Sequence, residues 1–328
     1  MAGAGAFGRN HARVYRELQQ QGEGVMLVGV LDTNAARART VAGQFGVPAF
    51  SSLEEMIAVA QPNAASVAVP TTSHLEVART LMQAGIDVLI EKPLAPSLEE
   101  ADELISLCRQ HDRIGQAGHL ERFNPAVRAT LPLITRPMFF EVHRLSLFTP
   151  RALDVDVVLD LMIHDIDLVL TFVNSLVKEI RAVGLPILSG KVDIANVRME
   201  FESGCVANFT ASRVSTERIR KMRFFQPRQY ISIDYTRQDV LVVTVDSAAA
   251  AQAAASARTN PPAVADLIQP KQIKAEPEEP LRAELRSFLD AVRRRTPPLV
   301  PLEDGRRALA VALDVLAAIA QHAQRIGI

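Results

Sequence analysis

Short continuous apolar runs alternate, over roughly the first 118 residues, with stretches whose apolar positions recur at about three- to four-residue spacing. Val25–Leu31 (VMLVGVL), Ala65–Val69 (ASVAV), Asp87–Ile90 and Ile114–Ala117 read as buried strands. Asn10–Leu18, Leu53–Val59, His74–Ala84 and Ser97–Gln110 read as helices. Gly85 closes the third helix, and Ser97 with Glu100 makes a capping box at the start of the fourth. Buried strands separated by amphipathic helices predict a parallel, doubly wound sheet with right-handed crossovers.

From about Gly118 the pattern changes. Phe139–Leu147 alternates as a strand does, and segments near Val177–Leu185, Val192–Phe201, Val206–Ser212, Arg220–Phe225, Tyr230–Asp234 and Val240–Val245 follow. Short turns such as Glu202-Ser203-Gly204 join them, which predicts a mostly antiparallel sheet. Residues 247–263 (SAAAAQAAASARTNPPA) read as a linker or flap. Glu279–Arg295 and Glu303–Arg325 are amphipathic helices expected to pack back on the domains. The fold class is therefore α/β, with a Rossmann domain over residues 1–118 and an α/β domain with an open, mostly antiparallel sheet over residues 119–328.

Between these sheets lies DVVLDLMIHDID, Asp156 to Asp167. Read as an α-helix, Asp156, Asp160 and His164 stand at i, i+4 and i+8, with Asp167 three further on, so the four share one stripe. The other faces are apolar, which predicts burial and requires the stripe to find partners or a ligand. Asp160 could orient a ring nitrogen of His164 one turn later. A structural helix with a satisfied core histidine is the plainer reading, and three aligned acids with a histidine favour a site.

Composition narrows the field. A 48% hydrophobic content over 328 residues suits a globular chain with sizeable cores, and a net charge of -1 lacks the basic excess of a nucleic-acid protein. The two cysteines, Cys108 and Cys205, sit in apolar segments and read as buried thiols. With no leader pattern at the start and no apolar run long enough to span a bilayer, the expected location is the cytosol, with no membrane or nucleic-acid partner.

The chemistry begins at Gly3-Ala4-Gly5-Ala6-Phe7-Gly8, a G-x-G-x-x-G pattern. With a helix after it and a strand ending at Asp32, it is the dinucleotide-binding fingerprint. Gly3 permits the turn, Gly5 admits the pyrophosphate and Gly8 lets helix and strand pack closely, while Asp32 would accept from the adenosine ribose and repel a 2'-phosphate. Thr33 and Asn34 supply no arginine after it, so NAD is the expected cofactor. Only Met1 and Ala2 precede the pattern. The first strand of the sheet is missing from the sequence, which predicts poor folding or weak NAD binding.

Asp32, Thr71, Lys92 and His119 all fall at strand ends, where such sheets bind ligands. Pro70, His74 and Glu91 beside them are counted with the cofactor residues. Lys92, next to Pro93, is a candidate donor to a substrate hydroxyl or an acid/base. Arg213, Arg218, Arg220, Lys221 and Arg223 cluster on one stretch, as solvated or interface charge at least as readily as a phosphate site. No metal-ligand set is assigned.

Together, G-A-G-A-F-G, E-K-P at Glu91–Pro93 and D-x-x-x-H at Asp160–His164 resemble the glucose–fructose oxidoreductase / inositol dehydrogenase / MocA family over nearly the whole chain. The resemblance implies an NAD(P)-dependent dehydrogenase whose C-terminal sheet forms a homodimer or homotetramer. It implies Lys92 as the family's EKP lysine, and Asp160 and His164 as its acid/base pair. G-H-L-E-R-F-N-P at Gly118–Pro125 and the run Asp154–Leu168 look like a narrower branch, the sugar-nucleotide 3-dehydrogenases. That branch implies oxidation at C3 of a UDP-N-acetyl-hexosamine, for later transamination in lipid A or surface polysaccharide synthesis. His119, Arg122, Asn124, Arg144, Arg151 and Asp156 are the candidate substrate contacts. The alternatives are an inositol, polyol or free-sugar dehydrogenase and a non-catalytic NAD-binding regulator.

Overall fold

The computed structural model describes residues 1–148, 155–245 and 268–327, so the segment 247–263 and Arg151 lie outside the described residues. The chain divides into two units, Met1–Phe123 with Glu279–Ala310 and Asn124–Glu278 with Val311–Ile328. A single cut after residue 118 does not describe this division, because residues 279–310 return to the first unit.

In the first unit, α1 (Ala6–Gln20), α2 (Ala35–Phe45), α3 (Leu53–Ala60), α4 (His74–Gln83) and α5 (Leu98–Gln110) alternate with β1 (Val30–Leu31), β2 (Ala49–Phe50), β3 (Ala64–Val67), β4 (Asp87–Glu91) and β5 (Gly115–Gly118). All strand pairs here are parallel. Local chemistry sets the helix ends. Asn34, Ser52 and Ser97 cap α2, α3 and α5 by accepting from the backbone three residues on, and Gly46 ends α2 in the left-handed region.

The sheet is split. β1–β2 and β3-β4-β5 form separate ladders, and Ala2 pairs in parallel with both Leu31 and Val67. Met1 and Ala2 thus stand where a Rossmann sheet has its central strand. The segment Val25–Leu31, expected as one strand, pairs only over Val30–Leu31. A strand exists through its neighbours, and beside residues 25–29 there is a groove instead of a ladder partner. It encloses about 450 Å³ and is lined by Val25–Gly29, Ala60–Ser66, Met56 and Leu289 among others. The Met1 ammonium is buried, donates to the Gly29 carbonyl at 3.1 Å, and is lowered to about 6 by desolvation.

The second unit holds α6 (Pro125–Thr130), α7 (Ile163–Val173), and β6 (Phe139–Leu147), β7 (Val177–Leu185), β8 (Ile194–Phe201), β9 (Val206–Ser215), β10 (Ile219–Gln226), β11 (Gln229–Asp234), β12 (Asp239–Val245) and β13 (Ile268–Lys274). They form one sheet in the order β13-β12-β11-β10-β6-β9-β8-β7. Among the described residues of this sheet, only β6 and β9 pair in parallel. Alternation gives the sheet one apolar face, with Phe140, Val142, Met199, Phe209 and Phe224 buried, and α7 packs there through Phe172 against Phe140 and Phe224. The basic cluster disperses into ion pairs: Arg213 with Asp193, Lys221 with Asp234 and Arg223 with Glu141.

Last come α8 (Pro280–Arg294), whose Leu285 and Phe288 join the first unit's core with Val14, Leu18, Val30 and Leu89, and α9 (Leu302–Ile326). Arg13–Glu279, Arg282–Glu17 and Arg286–Glu23 pairs edge the contact of α8 with α1. Cys205 is buried and Cys108 half-buried, both as free thiols that burial raises to about 11. Among the described residues, no helix is long and apolar enough to cross a membrane.

Candidate functional site

The turn into α1 explains its three glycines. Gly3 has φ +95°, and a Cβ there would stand 2.4 Å from the Ala68 carbonyl oxygen. A Cβ at Gly8 would stand 1.8 Å from the Gly3 carbonyl oxygen. Neither position admits a side chain. A Cβ at Gly5 would meet nothing within 4 Å, so this residue presents bare backbone to open space. Gly5 is also the N-cap of α1, and no side chain caps the helix there. Its first N–H groups and positive dipole end suit a phosphate. Ala6 and Phe7, in the same turn, are exposed.

Asp32 ends β1 with its carboxylate held by the Ala4 and Asn34 backbone N–H groups, both at 2.8 Å. It ties the glycine turn to the strand end and fixes the acid where a ribose would lie. The Arg37 guanidinium stands 3.7 Å from it. Bare backbone at Gly5, an uncapped helix and an acid at this strand end fit NAD.

The other strand-end residues are mixed. Pro70 is exposed and Thr71 opens a short 3-10 turn, Thr71–Ser73. Lys92 is half-buried and follows directly on Glu91, with a cis bond to Pro93. His74 and Glu91 have partners inside the unit. The His74 ring is buried between the Leu94 and Val69 carbonyls, at 3.2 and 3.1 Å, and desolvation lowers its pKa. Glu91 turns inward to His11, at 2.8 Å. Buried polar groups need internal partners, and these two residues find them inside the unit. His119 is buried, and buried Arg122 pairs with Asp304 at 3.2 Å.

In the second unit, the segment Asp156–Asp167 departs from a plain α-helix. Val158–Met162 is a π-helical turn, and α7 begins only at Ile163. The wider turn breaks the four-residue stripe, because its hydrogen bonds reach i+5. Asp156 and Asp160 are half-buried, whereas His164, Asp165 and Asp167 are buried. Such π-turns occur often at functional sites.

Three expected substrate contacts have partners within the unit. Asn124 caps α6 and donates to the Tyr235 carbonyl. Asp156 accepts from the Val192 N–H at 2.9 Å. Arg144 donates through Nε and Nη2 to the two oxygens of Asp165, at 2.6 and 2.8 Å, and stands over the Tyr235 ring. Asp193, also interior, accepts from three backbone N–H groups and Ser189. Burial opposes its ionisation, yet these bonds hold it well below the usual carboxylate range.

Sequence reasoning missed Arg37 beside Asp32 and His11 beside Glu91. The signal for His11 was present: it lies three residues after the last glycine of the motif, one turn into α1.

The class follows from comparison with known proteins. Residues 1–119 match the family model "Oxidoreductase family, NAD-binding Rossmann fold", and residues 137–232 match the GFO/IDH/MocA C-terminal domain. The chain belongs to this family of NAD-dependent oxidoreductases. Among individual proteins, it is 36% identical to the UDP-N-acetylglucosamine 3-dehydrogenase of Acidithiobacillus ferrooxidans over 98% of this chain and 97% of that one. The solved structure of that enzyme superposes with a TM-score of 0.85 at 34% identity, covering 97% and 96% of the two chains. The scyllo-inositol 2-dehydrogenase (NAD(+)) of Bacillus subtilis is 27% identical over 65% of this chain and 66% of its own.

Proposed function

We propose that this chain oxidises the C3 hydroxyl of a UDP-N-acetyl-hexosamine to a ketone with NAD. The observation that carries the reading is the 36% identity over 98% of the chain to a UDP-N-acetylglucosamine 3-dehydrogenase, against 27% over 65% to an inositol dehydrogenase. The residues present are consistent with it. NAD supplies the hydride acceptor when bound. Gly3, Gly5, Gly8 and Asp32 hold its adenosine and phosphate end. His164 takes the hydroxyl proton, Asp160 orients the imidazole and stabilises its charge, and Lys92 hydrogen-bonds the reacting oxygen. NAD would accept the hydride and His164 the hydroxyl proton, so that the sugar carbon would become a carbonyl.

Of the arginines expected at the diphosphate, Arg144 is committed to Asp165 and Arg122 pairs with Asp304. Arg122 and His119 remain the described candidates for the nucleotide sugar. The keto product suits an aminotransferase that makes a 3-amino sugar for lipid A or surface polysaccharide. The exposed polar face of the eight-stranded sheet, with Asn196 and Arg198, is the surface for a homodimer or homotetramer.

The test is a panel of UDP-sugars, free N-acetylglucosamine and inositol with NAD, followed at the nicotinamide absorbance. Reduction is expected with UDP-N-acetyl-hexosamines and only background with the free compounds. Turnover with inositol alone would establish a polyol dehydrogenase, and NAD binding without turnover on any substrate would establish a regulator.

A further inference from the structure

Three titratable side chains converge in the interior of the first unit: His11 on α1, Glu91 at the end of β4 and Glu284 on α8. His11 and Glu284 are completely buried, and Glu91 is nearly so. One ligand-type atom from each lies within 4.8 Å of the other two. His11 Nε2 stands 2.8 Å from Glu91 Oε1. Both carboxylate oxygens of Glu284, and His11 Nδ1, meet no hydrogen-bonding partner among the described residues. The Glu284 backbone carbonyl accepts from Gln116 Nε2 at 3.4 Å.

Two carboxylates sealed from water against one imidazole leave excess negative charge where it costs most. Either protons or a cation must neutralise it. We propose that His11, Glu91 and Glu284 form a binding site for one divalent first-row cation of the zinc type, held by one imidazole nitrogen and two carboxylates. Imidazole with carboxylate oxygen is a donor set such ions accept. Metal–ligand bonds of ~2.0–2.2 Å in tetrahedral geometry place ligand atoms roughly 3.3–3.6 Å apart. Atoms already within 4.8 Å reach that spacing by small side-chain rotations. With no cation bound, burial and the adjacent Glu91 charge push the Glu284 carboxyl well above the usual range, so it takes up a proton.

The cation would be structural. It would tie the helix that begins at the glycine turn to the strand end that precedes Lys92, and both to α8. This inference does not depend on the dehydrogenase reading, and its test does not measure turnover.

The full chain, without an affinity tag, is produced in medium supplemented with zinc, purified without chelator and analysed by mass spectrometry of metals. The expected content is about one zinc per chain, falling at least ~10-fold in Glu284→Gln, since loss of a ligand costs at least as much as loss of its supporting hydrogen bonds. Prolonged chelation should lower the Tm of the native chain and leave that of Glu284→Gln unchanged. If Glu284→Gln does not fold, His11→Gln is measured in the same way. A native chain that binds neither zinc, manganese nor cobalt, with its Tm unmoved by all three, overturns the proposal in favour of carboxyls sharing protons. Equal zinc in native chain and variants overturns it too, by placing the ion elsewhere.

Discussion

Replacing His164 with alanine, or Lys92 with alanine, is expected to lower kcat by roughly 10²–10⁴-fold, the range for a positioned acid/base, and to leave NAD affinity nearly unchanged. The two effects separate because the adenosine and phosphate end of the cofactor is assigned to other residues. Gly3, Gly5, Gly8 and Asp32 shape the turn and its open approach. Asp160→Asn should cost less than His164→Ala and distort the pH profile of turnover, since it acts through the imidazole. Steady-state kinetics with a UDP-sugar, beside NAD titration by fluorescence, measures both quantities. Near-normal turnover in both alanine variants would remove these residues from the chemistry.

The second large effect is on stability. Arg144→Ala should destabilise the second unit by about 3–5 kcal/mol, the usual cost of stranding one member of a buried ion pair. Its partner Asp165 would keep a carboxylate in an interior where both side chains are at most 3% exposed. Asp165→Ala should cost a similar amount. The double variant, Arg144→Leu with Asp165→Leu, should recover most of the loss, because apolar replacement of both partners is often neutral. Urea unfolding of the three variants reads this directly. A contact to the sugar nucleotide would behave differently: Arg144→Ala would raise KM and leave the urea midpoint in place.

What could be read from the sequence depended on how local each constraint is. The glycine turn was legible because backbone sterics demand glycine at fixed offsets, and the structure finds those clashes at Gly3 and Gly8. Ser97 was legible as a cap because its bond closes within three residues. The antiparallel runs β7-β8-β9 and β10-β11-β12 were legible from alternation, and the place of β6 between β9 and β10 was not. Helix α2 was not, although Asn34 and Gly46 flank it, since only Ala38, Val41 and Ala42 on it are buried. Strand β13 escaped because it is polar, mostly exposed and contains Pro270.

The site was harder, because its partners are distant in sequence. Arg144 and Asp165 are 21 residues apart and Glu91 and His11 80 apart, so their pairings exist only in the fold. Apolar periodicity predicted that the segment around His164 is buried. It could not reveal the π-turn at Val158–Met162, because one extra residue per turn leaves composition unchanged while redirecting each side chain. The strand expected over Val25–Leu31 failed for a related reason: five of its residues lack the neighbour that would make them a strand.

The proposed reaction is tested most directly with UDP-N-acetylglucosamine carrying deuterium at C3. Incubated with the enzyme and NAD, it should pass its deuterium to the reduced nicotinamide, and NMR should show a ketone at C3 of the product. Reduced nicotinamide without deuterium, or deuterium retained on the sugar while NAD is consumed, would contradict oxidation at that carbon.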